Sequence, residues 1–285
     1  MMNKKVVYGF KFSGYILFNI CLLCVLLFPF FLMISQSLMT PIESLSVPVR
    51  LLPSAPVFAS YKEALDGQVL KGLQNTLLLI VCNMIIVPAS GYVVAYGFAK
   101  LDFLGKGFFF SLGMSTLIVP GIVLMVPRYV LYNNLNWLNT LYPFVIPNLF
   151  GGGMMNIFLL YNFLRGVPNV YREAARIDGA SELRIAFLIT APMAKPILTY
   201  IMFIAVSAVW NDFSGPLTYI DRTHSDLWTL GVVVFDKFRY TTSELQSAPS
   251  LKAALSVIMM IPMVTLFSIF QKSIMQGVVF TGIKG

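Results

Sequence analysis

The chain has 285 residues, 58% of them hydrophobic and only 11% charged, and its mean hydropathy is +0.79. Soluble domains carry about 25% charged residues, so this chain has too few polar side chains to coat a water-exposed surface. Its formal charge of +8 comes with no basic face or aromatic-basic platform, which argues against nucleic-acid binding.

Residues 1–13 are polar and basic, with Lys4, Lys5 and Lys11. An uncharged run follows over about 14–34. A membrane span needs about 20 residues at 1.5 Å each to cross ~30 Å of hydrocarbon, and this run is long enough. It is too long for the apolar part of a signal peptide, and Ser35-Gln36-Ser37 is a poor cleavage site, so it reads as a retained first span. A polar loop marked by Pro41, Pro48, Pro53 and Pro56 occupies 37–71, with a short surface helix expected near Tyr61.

The second run, about 72–99, begins at Asn75-Thr76 and carries Pro88 and Gly91, which predict a kink. Lys100, Asp102 and Lys106 form a short turn. The third run, about 107–126, is broken by Pro120-Gly121 and leads to a polar interfacial stretch around Trp137. The fourth, about 141–164, is interrupted by Pro143, Pro147, Asn148 and Gly151-Gly152-Gly153. Such breaks are tolerated in a membrane only where protein or a water-filled cavity satisfies the backbone. A charged loop (165–195) precedes the fifth run, about 196–213, which ends in Trp210-Asn211-Asp212. A long polar loop over 214–250 leads to the sixth run, about 251–270, and a tail from Gln271.

Six spans place both termini on one side, and charge tests that topology. The N-terminus, the 100–106 turn, the 165–195 loop and the tail together hold twelve basic and four acidic residues. Their net of +8 equals the charge of the whole chain, so the opposite side is neutral. By the positive-inside rule the charged side is cytoplasmic, and with it both termini.

Catalytic sets are missing. There is no G-x-x-x-x-G-K-[ST] phosphate loop, and the three consecutive glycines have no Lys or Ser/Thr in register, so they read as a helix break or a close helix contact. Cys21 and Cys24 have C-x-x-C spacing but lie in an apolar run, and with Cys82 they read as packing residues. His224 is the only histidine and sits in a polar loop, so no histidine metal cluster exists and no cofactor is expected. Asp212 reads as an interfacial acid, with a proton or ion site as the alternative. Ser115, Asn148, Asn156, Ser207 and Asn211 are polar positions on spans three to five. They could line a substrate path, and interhelical hydrogen bonds explain them equally well.

The 165–195 loop is the most charged part of the chain, and charges at this density cannot lie in lipid. Asn169 is placed to cap a short helix to about Asp178, Gly179 suits the left-handed position past its end, and Ser181 is placed to cap a second helix from Glu182 towards Ile189. Arg184 stands where a capping box wants Glu or Gln. Two short helices with a sharp bend result, presenting Ala174, Ala175 and Ala180. An ordinary cytoplasmic loop with no partner would read the same way on these grounds.

The pattern Glu173-Ala174-Ala175, Gly179, Ile189, Ala191-Pro192 resembles the EAA loop of the membrane subunits of ABC importers, with Ala191 where leucine is usual. Asp178, Phe187 and Pro196 resemble the carbohydrate branch. The C-terminal Gly277…Thr281-Gly282-Ile283-Lys284-Gly285 resembles the tail of the maltose-type inner permease subunit. The resemblance implies an all-α, polytopic, six-helix type I ABC importer permease fold in a bacterial cell membrane, with a transmembrane domain over 14–270 and a cytoplasmic tail over 271–285. It also implies a second permease subunit, two ABC ATPase subunits and an extracytoplasmic sugar-binding protein as partners, with ATP hydrolysis in the partners. Glu173 would pair with a basic residue of the ATPase, Ala174 and Ala175 would pack in its cleft, Asp178 and Pro192 belong to the same coupling motif, and Gly179 would set the bend. A permease for a non-sugar solute and an ion-coupled secondary transporter are the alternatives. The latter would need more spans, inverted repeats and buried ionisable groups.

Overall fold

The computed structural model describes residues 4–240 and 248–282, with side chains described over 14–239 and 248–271. The tail from Gly277 to Gly285 and the side chains of Lys4, Lys5, Lys11, Lys272 and Lys284 lie outside those side-chain limits. The described residues form helices and turns with no strand. Four stretches are long and apolar enough to cross a membrane: Gly14–Ser37, Gly67–Lys100, Tyr142–Gly166 and Pro249–Gln271. The helical segment Glu182–Met193 and the helix Lys195–Asn211 form a bent pair at 79°, which makes a fifth.

These five match five of the six expected runs. The third behaves differently: a helix over Lys106–Ser115 and another over Met125–Asn134 flank a turn-rich stretch around Pro120-Gly121. Pro120 removes one backbone donor and Gly121 adds freedom, so no single helix of spanning length forms there.

The chain divides into two compact units, residues 1–66 with 236–262, and residues 67–235 with 263–285. In the first unit the helix Lys4–Ser37 exposes nearly all the large apolar side chains described over 14–34, as a lipid-facing span does. Short helices Pro41–Ser44 and Ala59–Ala64 follow, the second close to the expected surface helix. Ser37 Oγ lies 2.7 Å from Tyr61 Oη, which ties that loop back to the span end.

The second unit holds the core. The helix Gly67–Lys100 packs against Met154–Gly166 and Lys195–Asn211, burying Val87, Tyr92, Ala95, Tyr96, Leu160, Leu164, Ile197 and Ile201. The predicted polar loop over 214–250 is largely helical instead, with helices Ser214–Tyr219 and Leu230–Tyr240. Trp228, Leu230, Val232 and Val233 are buried. The apolar stretch from Leu230 is too short to register as a span, and only tertiary packing gives it somewhere to go. Residues 241–247 of that loop lie outside the described residues.

Candidate functional site

Two sites rise from the core of the second unit. The first is the elbow built on the charged loop. The helix Val170–Ile177 ends at Asp178, and Gly179 adopts φ +78°. The Gly179 N–H donates to Arg176 O at 3.0 Å and the Ala180 N–H to Ala175 O at 2.9 Å. This pair of bonds is a Schellman motif, which closes the helix and turns the chain. Ser181 then caps the next segment, its Oγ accepting the Arg184 N–H at 3.4 Å. That segment is α-helical over Glu182–Arg184 and π-helical over Ile185–Thr190. The wider turns directly precede Pro192, whose missing N–H breaks the α-helical ladder.

Glu182 is the hub of the elbow. Its carboxylate accepts from Tyr96 Oη at 2.7 Å, from Arg172 Nε at 2.7 Å and from Arg176 Nη2 at 2.8 Å. Burial opposes its ionisation, but bonds from Arg172, Tyr96 and Arg176 outweigh that and hold its pKa at about 2. Both arms of the elbow are thereby fastened to each other and to the Gly67–Lys100 helix. That helix adds a second tie at its last residue, where Lys100 Nζ donates to Val167 O at 2.6 Å and to Asn169 Oδ1 at 2.9 Å. Asn169 was expected to cap the Val170–Ile177 helix. Its side chain makes no cap bond, because its oxygen is taken by the ammonium.

The elbow is two-faced. Ala175 is 7% exposed and faces its own chain. Val170, Ala174 and Ile177, spaced four and three residues apart, form an exposed apolar stripe, with Ile177 87% exposed. Glu173, Asp178 and Gly179 are exposed as well. The carboxylate of Glu173 has no hydrogen-bond or ion-pair partner among the described residues. Sequence reasoning found the motif residues but not Tyr96 or Lys100, which lie some 70 to 90 residues earlier.

The second site is the broken fourth run and the cavity beside it. Short 3-10 helices over Tyr142–Phe144 and Ile146–Phe150 precede glycines 151, 152 and 153, all with positive φ. The freed backbone is satisfied by the Gly67–Lys100 helix: Asn83 Nδ2 donates to Phe144 O at 3.0 Å, and Ser90 Oγ to Asn148 O at 2.7 Å. Asn148 Nδ2 donates to Asn83 Oδ1 at 2.6 Å. Further along, Asn75 Nδ2 donates to Asp226 O and Trp228 O. Sequence reasoning passed over Asn83 and Ser90. Their signal was a row of polar residues on one face of an otherwise apolar span.

A cavity of about 420 Å³ opens next to this segment, lined in part by Arg128, Tyr132, Asn148, Asp212, Tyr219 and Thr229. Asp212 Oδ1 accepts the Gly215 N–H at 2.8 Å. Of the five expected path residues, only Asn148 lines this cavity. Ser115, Asn156 and Asn211 bond to carbonyls three or four residues earlier in their own chain segment, at Leu112, Gly152 and Ser207. Ser207 Oγ is buried without a hydrogen-bond partner. The five are therefore not brought together. Among the described residues no group of His, Cys, Asp and Glu is arranged to hold a metal ion.

Comparison with known proteins places these features. Residues 9–279 match the family described as binding-protein-dependent transport system inner membrane component. The melibiose/raffinose/stachyose import permease protein MelC of Bacillus subtilis (strain 168) is 28% identical over 264 residues, covering 92% of this chain and 93% of MelC. The arabinooligosaccharides transport system permease protein AraQ of the same organism is 26% identical over 273 residues, covering 94% of each. A chain from the crystal structure of a bacterial ABC transporter involved in the import of the acidic polysaccharide alginate superposes with a TM-score of 0.82 at 22% identity, over 95% of this chain and 98% of that one. The polytopic, all-helical ABC importer permease fold expected from the sequence is present. The match over nearly the whole length shows that this chain belongs to the family of inner membrane components of binding-protein-dependent transport systems.

Proposed function

We propose that this chain is the permease subunit of an ATP-driven, binding-protein-dependent oligosaccharide importer in a bacterial cell membrane. It pairs with a second permease subunit, two copies of an ABC ATPase and an extracytoplasmic sugar-binding protein. Relatives named for sugar import across most of their length support the substrate class. The charge asymmetry of the chain supports cytoplasmic termini and a cytoplasmic elbow, with the transmembrane domain over 14–270 and a tail over 271–285.

One observation carries the coupling role: the elbow is fastened on its inner side through Glu182 and Lys100 and exposes an apolar stripe beside a carboxylate on its outer side. Val170, Ala174 and Ile177 offer a shallow apolar stripe that fits a cleft in a partner, and Glu173 offers a carboxylate for a basic residue there. Ala175 is turned inward, so of the two alanines Ala174 makes the contact. Movement of the ATPase pair reaches the Gly67–Lys100 helix through Glu182 and Lys100, and the 79° bend passes it to the Lys195–Asn211 helix. Gly179 sets the angle between the arms, and Asp178 and Pro192 end and shape them.

A cysteine at Ala174 tests this in the purified assembly. Cross-linking to the ATPase subunit is expected, and the cross-link should stop sugar uptake. An elbow that cross-links to no nucleotide-hydrolysing chain would overturn the coupling role.

A further inference from the structure

We propose that the cavity beside the broken fourth run is a subsite for one neutral, hydroxylated sugar ring, held by Asp212 and Arg128 against a wall formed by Tyr132 and Tyr219. This rests on the sugar-import reading and adds to it a place on this chain where the cargo is held.

Size is the first argument. The cavity measures about 420 Å³, within the roughly 300–1,000 Å³ of small-molecule sites. It is large enough for a ring with its neighbouring linkage.

The lining is the second. Thr229 lines the cavity with its apolar part, since its Oγ1 is sealed from solvent and so cannot meet a ligand. Asp212 spends part of its acceptor capacity on backbone N–H groups and has no cationic partner among the described residues. Arg128 is likewise without a carboxylate partner among the described residues. A carboxylate and a guanidinium around one cavity can accept from and donate to vicinal hydroxyls. One charge of each sign favours a neutral ring over an anionic or cationic one.

The wall is the third. Tyr132 and Tyr219 meet edge to face at 5.0 Å and 79°, Trp137 stacks on Tyr132 at 5.7 Å, and Phe144 lies 6.1 Å from Tyr219. The aromatic side chains brace one another, so the wall keeps its shape, and the apolar face of a sugar ring can pack on it.

Two substitutions separate a binding role from a structural one. Asp212→Asn keeps an acceptor for the Gly215 N–H, so the local turn survives. Thr229→Val removes only a hydroxyl that bonds to nothing, so a structural role predicts unchanged or improved stability. The test uses the full assembly, with its partner permease, ATPases and binding protein, in liposomes. Raffinose, arabinotriose and digalacturonate serve as probes. Asp212→Asn is expected to move about tenfold less neutral sugar per ATP hydrolysed, the scale of one lost hydrogen bond in a desolvated site. Thr229→Val is the control and should keep uptake, stimulated hydrolysis and melting temperature at the parent values. An unchanged transport ratio in Asp212→Asn, or the same loss in both variants, would overturn the subsite. So would loss of stimulated hydrolysis, which would assign the cavity to docking of the binding protein, and so would uptake of digalacturonate alone. Uptake of no probe by the unaltered assembly would instead overturn the sugar-import reading itself, and the subsite with it.

Discussion

Replacing Gly179 tests the elbow most directly, because the cost can be worked from its geometry. Its φ is +78°, and nothing lies within 4 Å of a Cβ built there. A side chain therefore meets no neighbour, and the whole penalty is backbone conformation. For an L-residue the left-handed region costs about 1–2 kcal/mol, less for asparagine and more for a β-branched side chain. The two bonds closing the turn, from the Gly179 and Ala180 N–H groups, contribute about 0.5–1.5 kcal/mol each net of solvent. Strain at 179 is therefore of the same size as the interactions that hold the bend. Gly179→Asn should keep the elbow, Gly179→Ala should loosen it, and Gly179→Val should open it in most molecules. At about 1.4 kcal/mol per factor of ten, the alanine variant should lose roughly 5- to 30-fold of its bent population when no partner holds it. The assay is sugar uptake and ATP hydrolysis measured together in reconstituted assemblies. Transport per ATP should fall in the order Gly, Asn, Ala, Val, with hydrolysis affected less. A valine variant that transports as well as the asparagine one would refute the argument, since then the left-handed turn is not what couples the arms.

Other perturbations follow from the same geometry. Glu182→Gln should weaken the hub by about 2 kcal/mol, the scale of charge-assisted hydrogen bonds, and lower the melting temperature of the assembly. Because the folded pKa of Glu182 is about 2 against an ordinary 4.5, its contribution is complete above about pH 4.5 and lost as pH falls towards 2. The melting difference between the chain and E182Q should therefore be flat from about pH 8 to pH 5 and shrink only in stronger acid. Lys100→Met should leave Val167 O and Asn169 Oδ1 without their donor, costing about 1–3 kcal/mol and showing as faster hydrogen exchange at residues 167–173. Gly152→Ala should abolish folded protein by size exclusion. A Cβ there would lie 2.8 Å from Val87 Cγ1 and 2.9 Å from Val87 O at φ +64°. Val87→Ala in the same chain should not rescue it, because the carbonyl remains.

Several features were legible in the residues because they are local. Gly179 and Ser181 take the turn and cap positions their chemistry suits. The proline and glycine breaks at 120–121 and 151–153 fall where those residues stand. Run length, alternating with charged loops, located five of the helical spans or bent pairs. The third run was expected to break at Pro120-Gly121, and two shorter helices flank that point; average hydropathy registers apolar content and not how long the helices beside a proline run. Asn169 was misjudged as a cap because capping preference is local, and the competing donor, Lys100, is remote in sequence.

The sequence by itself determined that this protein lies in a membrane and where its elbow turns, because transfer free energy and backbone preference act residue by residue. Only the tertiary structure decided which carboxylate fastens the elbow, which alanine faces outward, and which polar groups gather around one cavity. Glu182 with Tyr96, Asn83 with the 3-10 turns, and Asp212 with Arg128 are separated by tens of residues in sequence. Their meeting follows from how helices pack, and pattern along one chain does not encode that in any single window.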